Sequence, residues 1–222
     1  MKDDEYAELR RLMVAEIAAE TIFSGGETGR TALDPRVLEA MGRVPRHEFV
    51  PLELRPYAYA NSPLPIGCDK TISQPFICAL MTDLLEPHAG DRVLEIGTGL
   101  GYQAAILAGL VHTVYSVEIL EPLAQQAKRR LARYDNVVLG TGNGYHGWSE
   151  HAPFDKVIVT AAPDLIPPPL IQQLKPGGRM VIPAGLPETQ KLMLLEKDAG
   201  GHAKTKEILR VRFSLLEGGD GG

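Results

Sequence analysis

The sequence predicts an α/β fold built on a doubly wound, Rossmann-like parallel sheet, with helices at the N-terminal end and a β-hairpin at the C-terminal end. Three observations predict it. From Asp91 onward, short apolar strands alternate with helical segments. A glycine-rich loop, Gly97 to Gly101, directly follows the first of these strands. Two apolar segments beyond Pro187 flank a Gly-Gly turn. Strands that alternate with helices are typical of a parallel sheet covered on both faces.

The first 75 residues are expected to form a helical and loop region that lies over the sheet and includes an active-site loop. Apolar residues recur with helical spacing over residues 3–22. Asp34 and Pro35 then open a short helix, because Asp is a favoured N-cap residue and Pro fits the first helical turn. The proline-spaced stretch as far as Ile66 is expected to be irregular.

Residues 76–217 are expected to form the α/β domain with its C-terminal hairpin. Strands of this domain are predicted in RVLEIG, TVYSVE, NVVLG, FDKVIVT and GRMVIPA. Helices are predicted in TGLGYQAAILAGL, LEPLAQQAKRRLARY and LIPPPLIQQL. The segments KLMLLEKD and KEILRVRFSLL are predicted to pair as the hairpin. The glycine-rich tail, residues 218–222, is expected to be disordered.

Composition and charge exclude several classes of protein. The 222 residues are 44% hydrophobic and 23% charged, which suits one globular unit with a sizeable core. The net charge is −5. The one compact basic cluster, Lys128–Arg130 with Arg133, is interpreted as the solvated face of a helix. We therefore expect no nucleic-acid partner. The charged N-terminus is unlike a signal peptide, and no apolar run approaches the ~20 residues of a membrane span. We therefore expect a cytoplasmic protein without a membrane partner, and we take it to be a monomer.

The cysteines and histidines do not form a metal-binding pattern. Cys68 and Cys78 lie ten residues apart, and the six histidines are scattered through the chain. Neither set has the spacing of a zinc site or of an HExxH motif. We expect two free thiols and no metal site.

The glycine loop and two acids indicate the class of cofactor. Glycines let the backbone turn sharply and approach a ligand closely, and the helix that follows presents free N–H groups. The pattern here is ExGxGxG, with Glu95 near the end of the strand, whereas a dinucleotide site has GxGxxG and binds a pyrophosphate. A carboxylate at that place would repel a pyrophosphate but suits a cofactor that carries an ammonium group and a sulfonium. Glu118, which ends the next strand, is placed to accept the hydroxyls of a ribose. The loop therefore favours S-adenosylmethionine over NAD.

Longer stretches of the sequence resemble the protein-L-isoaspartate (D-aspartate) O-methyltransferase family. The resemblance runs from about Leu33 to Leu216 and is carried, in the family's order, by VPRHEFVP, LPIGCDKTISQPFICALMTDLLE, VLEIGTGLGYQAAILA and APFDKVIVTAAPDLIPPPLIQQLKPGGRMVIPAG. The TISQP block is more specific than the glycine loop, which related methyltransferases share. The resemblance implies an S-adenosylmethionine-dependent methyltransferase fold whose C-terminal strands are ordered differently from the usual sheet. It also implies a repair enzyme that methylates the α-carboxylate of L-isoaspartyl and D-aspartyl residues in damaged proteins.

The resemblance further implies the site residues. The serine of TIS is the family's active-site residue and corresponds to Ser73, and Thr71 is expected beside it as a second catalytic residue. We expect the Ser73 hydroxyl to orient the acceptor carboxylate while Thr71 and the loop backbone close over the cofactor. A carboxylate with a pKa near ~4 is already ionised at neutral pH, so no general base is needed. The expected cofactor-binding residues are Thr71, Ile72, Ser73, Glu95, Gly97, Thr98, Gly99, Gly101, Glu118, Asn143 and Gly144.

Three places depart from the family pattern. Residues 67–70 read Gly-Cys-Asp-Lys, where the family commonly has Gly-Gln-Gly-Gln before TIS. Asn143 stands where the family places an acid near the adenine amine, although its side-chain oxygen can still accept a hydrogen bond there. Residues 214–216 read Ser-Leu-Leu in place of a Val-Pro-Leu that lines the family's peptide site. These departures leave the folding of the active-site loop and the peptide preference open.

Several alternatives stay open from the sequence. A tailoring methyltransferase of the same family would esterify an aspartate in one specific peptide to drive imide formation. A non-catalytic binding module would keep the cofactor pocket and methylate nothing. An NAD oxidoreductase is disfavoured by Glu95 and the glycine spacing, and a nucleophile-elbow hydrolase by the lack of G-x-S-x-G. At the residue level, Ser73 is alternatively the N-cap of the helix after Pro75, and Glu118 is alternatively a strand cap.

Overall fold

A computed structural model describes residues 3–218 of the chain, so that most of the predicted disordered tail lies outside the described residues. The N-terminal region forms three helices followed by two 3₁₀ turns, Arg46–Phe49 and Leu52–Tyr57. The helices are α1 (Asp3–Phe23), α2 (Gly25–Thr28) and α3 (Pro35–Arg43). The Asp34 carboxylate accepts a hydrogen bond from the Arg36 N–H at 2.8 Å, which confirms Asp34 as the N-cap of α3.

An antiparallel hairpin and a buried helix follow, in the region that contains TISQP. The hairpin consists of β1 (Leu64–Gly67) and β2 (Lys70–Ile72), and the helix is α4 (Pro75–Leu85). The prediction of irregular structure up to Ile66 is wrong at this hairpin. Its tight turn has positive φ at Gly67, Cys68 and Asp69. Positive φ is uncommon for Cys, and such turns favour Asn-Gly or Asp-Gly, so the Cys-Asp pair gave little signal for this turn.

The main sheet has seven strands in the order β5-β4-β3-β6-β7-β8-β9. The first five strands of this order are parallel, and β8 and β9 add to the edge of the sheet in antiparallel pairs. The predicted parallel sheet and C-terminal hairpin are both confirmed. The strands are β3 (Arg92–Ile96), β4 (Thr113–Glu118), β5 (Val137–Thr141), β6 (Phe154–Val159), β7 (Leu174–Ala184), β8 (Lys191–Lys197) and β9 (Ala203–Arg210).

Helices cover both faces of this sheet, and the strand order reverses between β3 and β6. Three helices connect the parallel strands: α5 (Tyr102–Ala108), α6 (Glu121–Arg130) and α7 (Pro168–Gln173). From β3 the chain continues outward to β4 and β5, and it then returns to place β6 on the other side of β3. In doubly wound sheets a ligand binds at such a reversal, outside the carboxyl ends of the strands.

The N-terminal helices share their apolar core with one face of the sheet. Met13, Ile17 and Phe49 are almost completely buried and belong to the same hydrophobic cluster as Leu85 and Ile106. A second cluster, on the other face, packs around α7. The N-terminal region is therefore held in a fixed place over the sheet, and the division into residues 1–75 and 76–217 stays a prediction.

The chain leaves the sheet earlier than the sequence predicted. Strand β9 ends at Arg210, whereas the predicted strand continued to Leu216. Beyond Arg210, backbone hydrogen bonds go to partners outside β8: the Phe213 N–H donates to Gln190 Oε1 at 2.6 Å. The Ala162 N–H donates to the Ser214 carbonyl oxygen, and the Ala162 carbonyl oxygen accepts the Leu216 N–H. We call residues 213–218 the C-terminal segment. It crosses the carboxyl ends of the parallel strands, where the reversal lies.

Candidate active site

Two adjoining cavities lie at the reversal of strand order and share five lining residues, Ile66, Thr71, Gly97, Gly99 and Thr160. The larger, which we call the cofactor cavity, has about 550 Å³ and is also lined by Glu118 and Gly144. The smaller, the serine cavity, has about 390 Å³ and is also lined by Ser73. Both cavities lie where doubly wound sheets bind their ligands, outside the carboxyl ends of the strands.

A surface cleft meets both cavities. Its lining includes Thr71, Ser73 and Thr160 on the inner side, and the exposed Arg210 and Arg212 on the outer side. Thr71 and Thr160 line all three spaces, so the cleft, the serine cavity and the cofactor cavity meet at these two threonines. A peptide in the cleft would therefore lie next to both cavities.

The glycine loop follows β3 and leaves little room for side chains at two positions. Gly97 has φ +92°, and an added Cβ would lie 2.5 Å from Thr160 Oγ1. Gly99 has φ +56°, and its Cβ would lie 3.1 Å from the Ile66 side chain. Both glycines line the cofactor cavity, and Gly101 precedes α5 directly as its N-cap. The predicted role of the loop as a close backbone wall is consistent with this geometry.

Glu118 presents a fixed carboxylate to the cofactor cavity. It ends β4, is 6% exposed, and accepts the Gly99 N–H at 2.8 Å on one oxygen and the Leu120 N–H at 3.0 Å on the other. Each carboxylate oxygen has two acceptor sites, so each retains one for a ligand hydroxyl. This arrangement suits the two hydroxyls of a ribose better than it suits a strand cap alone.

Glu95 lies beneath the loop and lines neither cavity. Its side chain is completely buried, one oxygen accepts the Ser116 hydroxyl, and the other has no hydrogen-bond partner among the described residues. Burial, together with the Glu118 charge, raises the pKa of Glu95 to about 8. The Thr98 hydroxyl forms a hydrogen bond with the Ser116 hydroxyl at 2.6 Å. Ser116 thereby connects the glycine loop to the Glu95 carboxyl group. The structure places Glu95 as a support of the loop, and its contact with a cofactor stays a prediction.

Ser73 is held by its backbone and not by its side chain. Its carbonyl oxygen accepts a hydrogen bond from Arg46 at 2.7 Å, and the residue is half-buried where the serine cavity meets the cleft. Helix α4 begins at Pro75 with Gln74 as its N-cap, which removes the alternative that Ser73 caps this helix. Among the described residues no partner occupies the Ser73 hydroxyl, and Ile72 beside it is buried in the serine cavity.

Asn143 points toward the C-terminal segment. Its Oδ1 accepts the Tyr145 N–H at 2.9 Å, and its Nδ2 donates to the Gly218 carbonyl oxygen. Gly144 lines the cofactor cavity, whereas the Asn143 side chain does not line it. The predicted contact of Asn143 with the adenine stays a prediction, and it would need the side-chain oxygen to accept a second hydrogen bond.

Sequence reasoning missed the residues that close the cofactor cavity. Thr160 follows β6 directly and donates its hydroxyl to the Gly97 carbonyl oxygen at 2.6 Å. Lys70 in the hairpin forms an ion pair with Glu217 of the C-terminal segment, and both line the cavity. The position of Thr160 at the carboxyl end of a parallel strand was a usable signal, because ligand-binding residues gather at that edge. No sequence signal predicts the ion pair between Lys70 and Glu217, because the two residues are far apart in the sequence.

Metal-binding clusters and membrane-spanning helices are both absent from the described residues. Within residues 3–218 no group of three or more His, Cys, Asp and Glu side chains is arranged to hold a metal ion. No helix in this part of the chain has the length and apolar character needed to cross a membrane.

The residues of the cofactor cavity fit S-adenosylmethionine. A close glycine wall borders a cavity whose carboxylate, Glu118, retains free acceptor sites. No arginine lines this cavity, and Lys70, its one lysine among the described lining residues, already pairs with Glu217. The pyrophosphate of a dinucleotide would therefore lack a free cationic partner there.

Comparisons with known proteins identify the family of the chain. The sequence profile of the protein-L-isoaspartate (D-aspartate) O-methyltransferase family matches residues 19–220. The chain is 65% identical, over all its residues and 95% of the relative, to protein-L-isoaspartate O-methyltransferase 1 of Polaromonas sp.. It is 59% identical, over 98% of the chain and 89% of the relative, to protein-L-isoaspartate O-methyltransferase 2 of Syntrophobacter fumaroxidans.

Solved structures give the same result. One protein-L-isoaspartate O-methyltransferase is similar with a TM-score of 0.79 and 30% identity, over 94% of this chain and 66% of that one. A second structure, a putative protein-L-isoaspartate O-methyltransferase from Plasmodium falciparum in complex with S-adenosyl-L-homocysteine, shares the fold. Its TM-score is 0.73 and its identity is 22%, over 90% of this chain and 96% of that one. Fold, site and sequence thus lead to one conclusion: the chain belongs to the protein-L-isoaspartate (D-aspartate) O-methyltransferase family.

Proposed function

We propose that this protein transfers a methyl group from S-adenosylmethionine to the α-carboxylate of L-isoaspartyl residues, and of D-aspartyl residues, in damaged proteins. The observation that carries the proposal is the meeting of the surface cleft with the cofactor cavity at Thr71 and Thr160, with Ser73 beside the junction. A flexible peptide segment can enter such a cleft, and only its carboxylate needs to pass the junction.

Glu118, the glycine loop, Thr71 and Gly144 would hold the cofactor. The Glu118 oxygens are fixed by two backbone N–H groups, so they are oriented before a ribose arrives. When bound, S-adenosylmethionine supplies a methyl group on a positively charged sulfur, which is the electrophile of the reaction. The protein must then exclude water from the two charged reactants and align them.

The serine cavity has the lining that this reaction needs. Its described lining residues include no His, Asp, Glu or Lys. Cys78 lines it, but burial raises the pKa of this thiol to about 11, so the thiol stays protonated at neutral pH. A general base is unnecessary, because the acceptor carboxylate has lost its proton before it binds. The absence of a base from the serine cavity therefore supports methyl transfer to an acid.

Ser73 would orient the acceptor by donating its hydroxyl to one carboxylate oxygen. We expect Ser73→Ala to lower kcat by about 10- to 100-fold, because a displaced acceptor loses alignment with the methyl group. The affinity for S-adenosylhomocysteine should stay close to that of the unmodified protein. Methyl transfer to an isoaspartyl peptide gives kcat, and calorimetry gives the affinity. Ser149→Ala, at an exposed serine outside both cavities, is the matched control. An unchanged kcat in Ser73→Ala would remove Ser73 from the mechanism.

A peptide panel tests the function itself. Isoaspartyl peptides of unrelated sequence, each with a matched normal aspartyl peptide, should show methylation of the isoaspartyl forms alone. A tailoring enzyme would methylate a normal aspartate in one peptide, and a binding module would bind cofactor and methylate neither form. The proposal also includes a monomer that acts in the cytoplasm without nucleic acid, and size-exclusion chromatography with light scattering tests the monomer.

A further inference from the structure

Arg46 is a completely buried arginine behind the serine cavity. It opens the 3₁₀ turn Arg46–Phe49, its side chain is 0% exposed, and its Nε donates to the Ala58 carbonyl oxygen at 2.8 Å. Its Nη2 donates to the Ser73 carbonyl oxygen at 2.7 Å. Its guanidinium lies over the Tyr102 ring, 4.8 Å from the centroid. One side chain therefore connects the N-terminal region, the active-site serine and the first residue of α5, which follows the glycine loop.

The charge of this arginine is not neutralised by a carboxylate. No ion pair within residues 3–218 includes Arg46, and its Nη1 is buried without a hydrogen-bond partner. Ser73 and Tyr102, which contact the guanidinium, both line the serine cavity. A buried cation normally has an anionic partner, because removal of a charge from water is unfavourable. The anion that visits this region in the proposed reaction is the acceptor carboxylate.

We propose that Arg46 is a positioning residue of the methyl transfer: it fixes Ser73 relative to the glycine loop, and its charge favours the acceptor carboxylate in the serine cavity. This inference rests on the proposed function. The planar guanidinium can bond two carbonyl oxygens in its plane while a ring stacks on its face. Lysine has no such geometry, so the two parts of the role can be separated by substitution.

The two parts have different kinetic signatures. Loss of alignment lowers kcat, since a misplacement of about 1 Å is enough to cost on the order of 100-fold. Loss of the positive charge weakens binding of the anionic peptide and raises its KM. The acceptor carboxylate is partly neutralised in the transition state, so loss of the arginine charge weakens peptide binding and does not by itself lower kcat.

The experiment compares Arg46→Lys with Arg46→Met. We expect kcat to fall about 10- to 100-fold in both variants, and the KM for an isoaspartyl peptide to rise about 10-fold only in Arg46→Met. Affinity for S-adenosylhomocysteine should stay within about threefold of the unmodified protein, because Glu118 does not contact Arg46. Each kcat is expressed per S-adenosylhomocysteine-binding site, which corrects for misfolded protein. Met13→Leu, at a buried core position of α1 that lines neither cavity nor the cleft, is the control for altered packing.

The outcomes separate this inference from the proposed function. An unmodified protein that does not methylate isoaspartyl peptides contradicts the proposed function. An active unmodified protein with unchanged kcat in both Arg46 variants overturns only the role of Arg46. A fall in S-adenosylhomocysteine affinity parallel to the fall in kcat also overturns it, since that result indicates general damage to the site. If Arg46→Met does not fold, Tyr102→Leu removes the ring under the guanidinium, and it should lower kcat in the same direction.

Discussion

Two glutamates that lie close together in this fold are held in opposite ways. Glu118 has backbone N–H donors on both oxygens and faces the cofactor cavity, so its charge is supported and available to a ligand. Glu95 is completely buried with a single hydroxyl donor, and the neighbouring Glu118 charge further disfavours its ionised form. The sequence pattern suggested two acids that face the cofactor. The structure assigns the cavity-facing acceptor to Glu118 and the internal support to Glu95.

The raised pKa of Glu95 predicts how the stability of the protein depends on pH. The native pKa of about 8 lies above the ordinary value of 4.5, so the native state binds more protons than the unfolded state between these values. The contribution of Glu95 is therefore fully present below about pH 4.5 and is lost as pH rises through about 8. We expect Glu95→Gln to remove this decline, which is on the order of a few kcal/mol between pH 5 and pH 9.

Denaturant unfolding of both proteins at pH 5, 7 and 9 measures the difference. Gln keeps an acceptor for the Ser116 hydroxyl, so the variant should fold. The exposed Glu150→Gln serves as the control, and its stability should follow that of the unmodified protein at every pH. Parallel curves for Glu95→Gln and the unmodified protein would contradict the raised pKa.

At the scale of secondary-structure elements, the sequence predicted those elements that local residue types and spacing specify. The strands from β3 to β8 are apolar runs bounded by turn residues, and α3 begins at a side-chain cap that the residue types specify. The hairpin β1–β2 was missed, because Cys68 and Asp69 occupy a left-handed turn that usually contains glycine or asparagine. The end of β9 was misplaced, because Gln190 and Ala162 divert the chain through contacts distant in sequence.

The hairpin and the C-terminal segment meet over the cofactor cavity through the Lys70–Glu217 ion pair. Glu217 is half-exposed, and such pairs contribute about 0.2–1 kcal/mol, so the pair should slow ligand release only moderately. We expect Lys70→Glu and Glu217→Lys each to raise the dissociation rate of S-adenosylhomocysteine about two- to fivefold at low salt. The double charge reversal should restore the original rate. Stopped-flow displacement measures it.

High salt and a distant ion pair provide the controls. The differences should shrink at 0.5 M NaCl, where the Debye length is below ~5 Å. The Lys191–Glu207 pair on the β8–β9 hairpin is a more exposed Lys–Glu pair outside the cofactor cavity, so its charge reversal should leave the rate unchanged. A double reversal of Lys70 and Glu217 that releases ligand as fast as the single variants would show that the pair does not hold this cavity closed.

At the scale of the whole molecule, the site is assembled from parts of the chain that the fold alone brings together. The glycine loop and Glu118 were predictable, since both follow strands at a regular spacing. Thr160, Arg46 and the C-terminal segment join them from distant positions. No local sequence pattern specifies contacts between residues that are so far apart in the chain. A ligand in the cofactor cavity would contact the hairpin, three strand ends and the C-terminal segment together, so binding should stabilise the entire fold.

Thermal unfolding tests this coupling. A ligand that binds only the native state at 100 times its Kd contributes about 2.7 kcal/mol, which corresponds to a rise in Tm of about 5–10 °C for a chain of this size. We expect S-adenosylhomocysteine to produce this rise. Glu118→Gln offers one acceptor oxygen in place of two and should weaken binding up to about 100-fold, which would reduce the rise to about 1–2 °C at the same concentration. Glu150→Gln should keep the full rise, and a full rise in Glu118→Gln as well would mean that the ribose is held elsewhere.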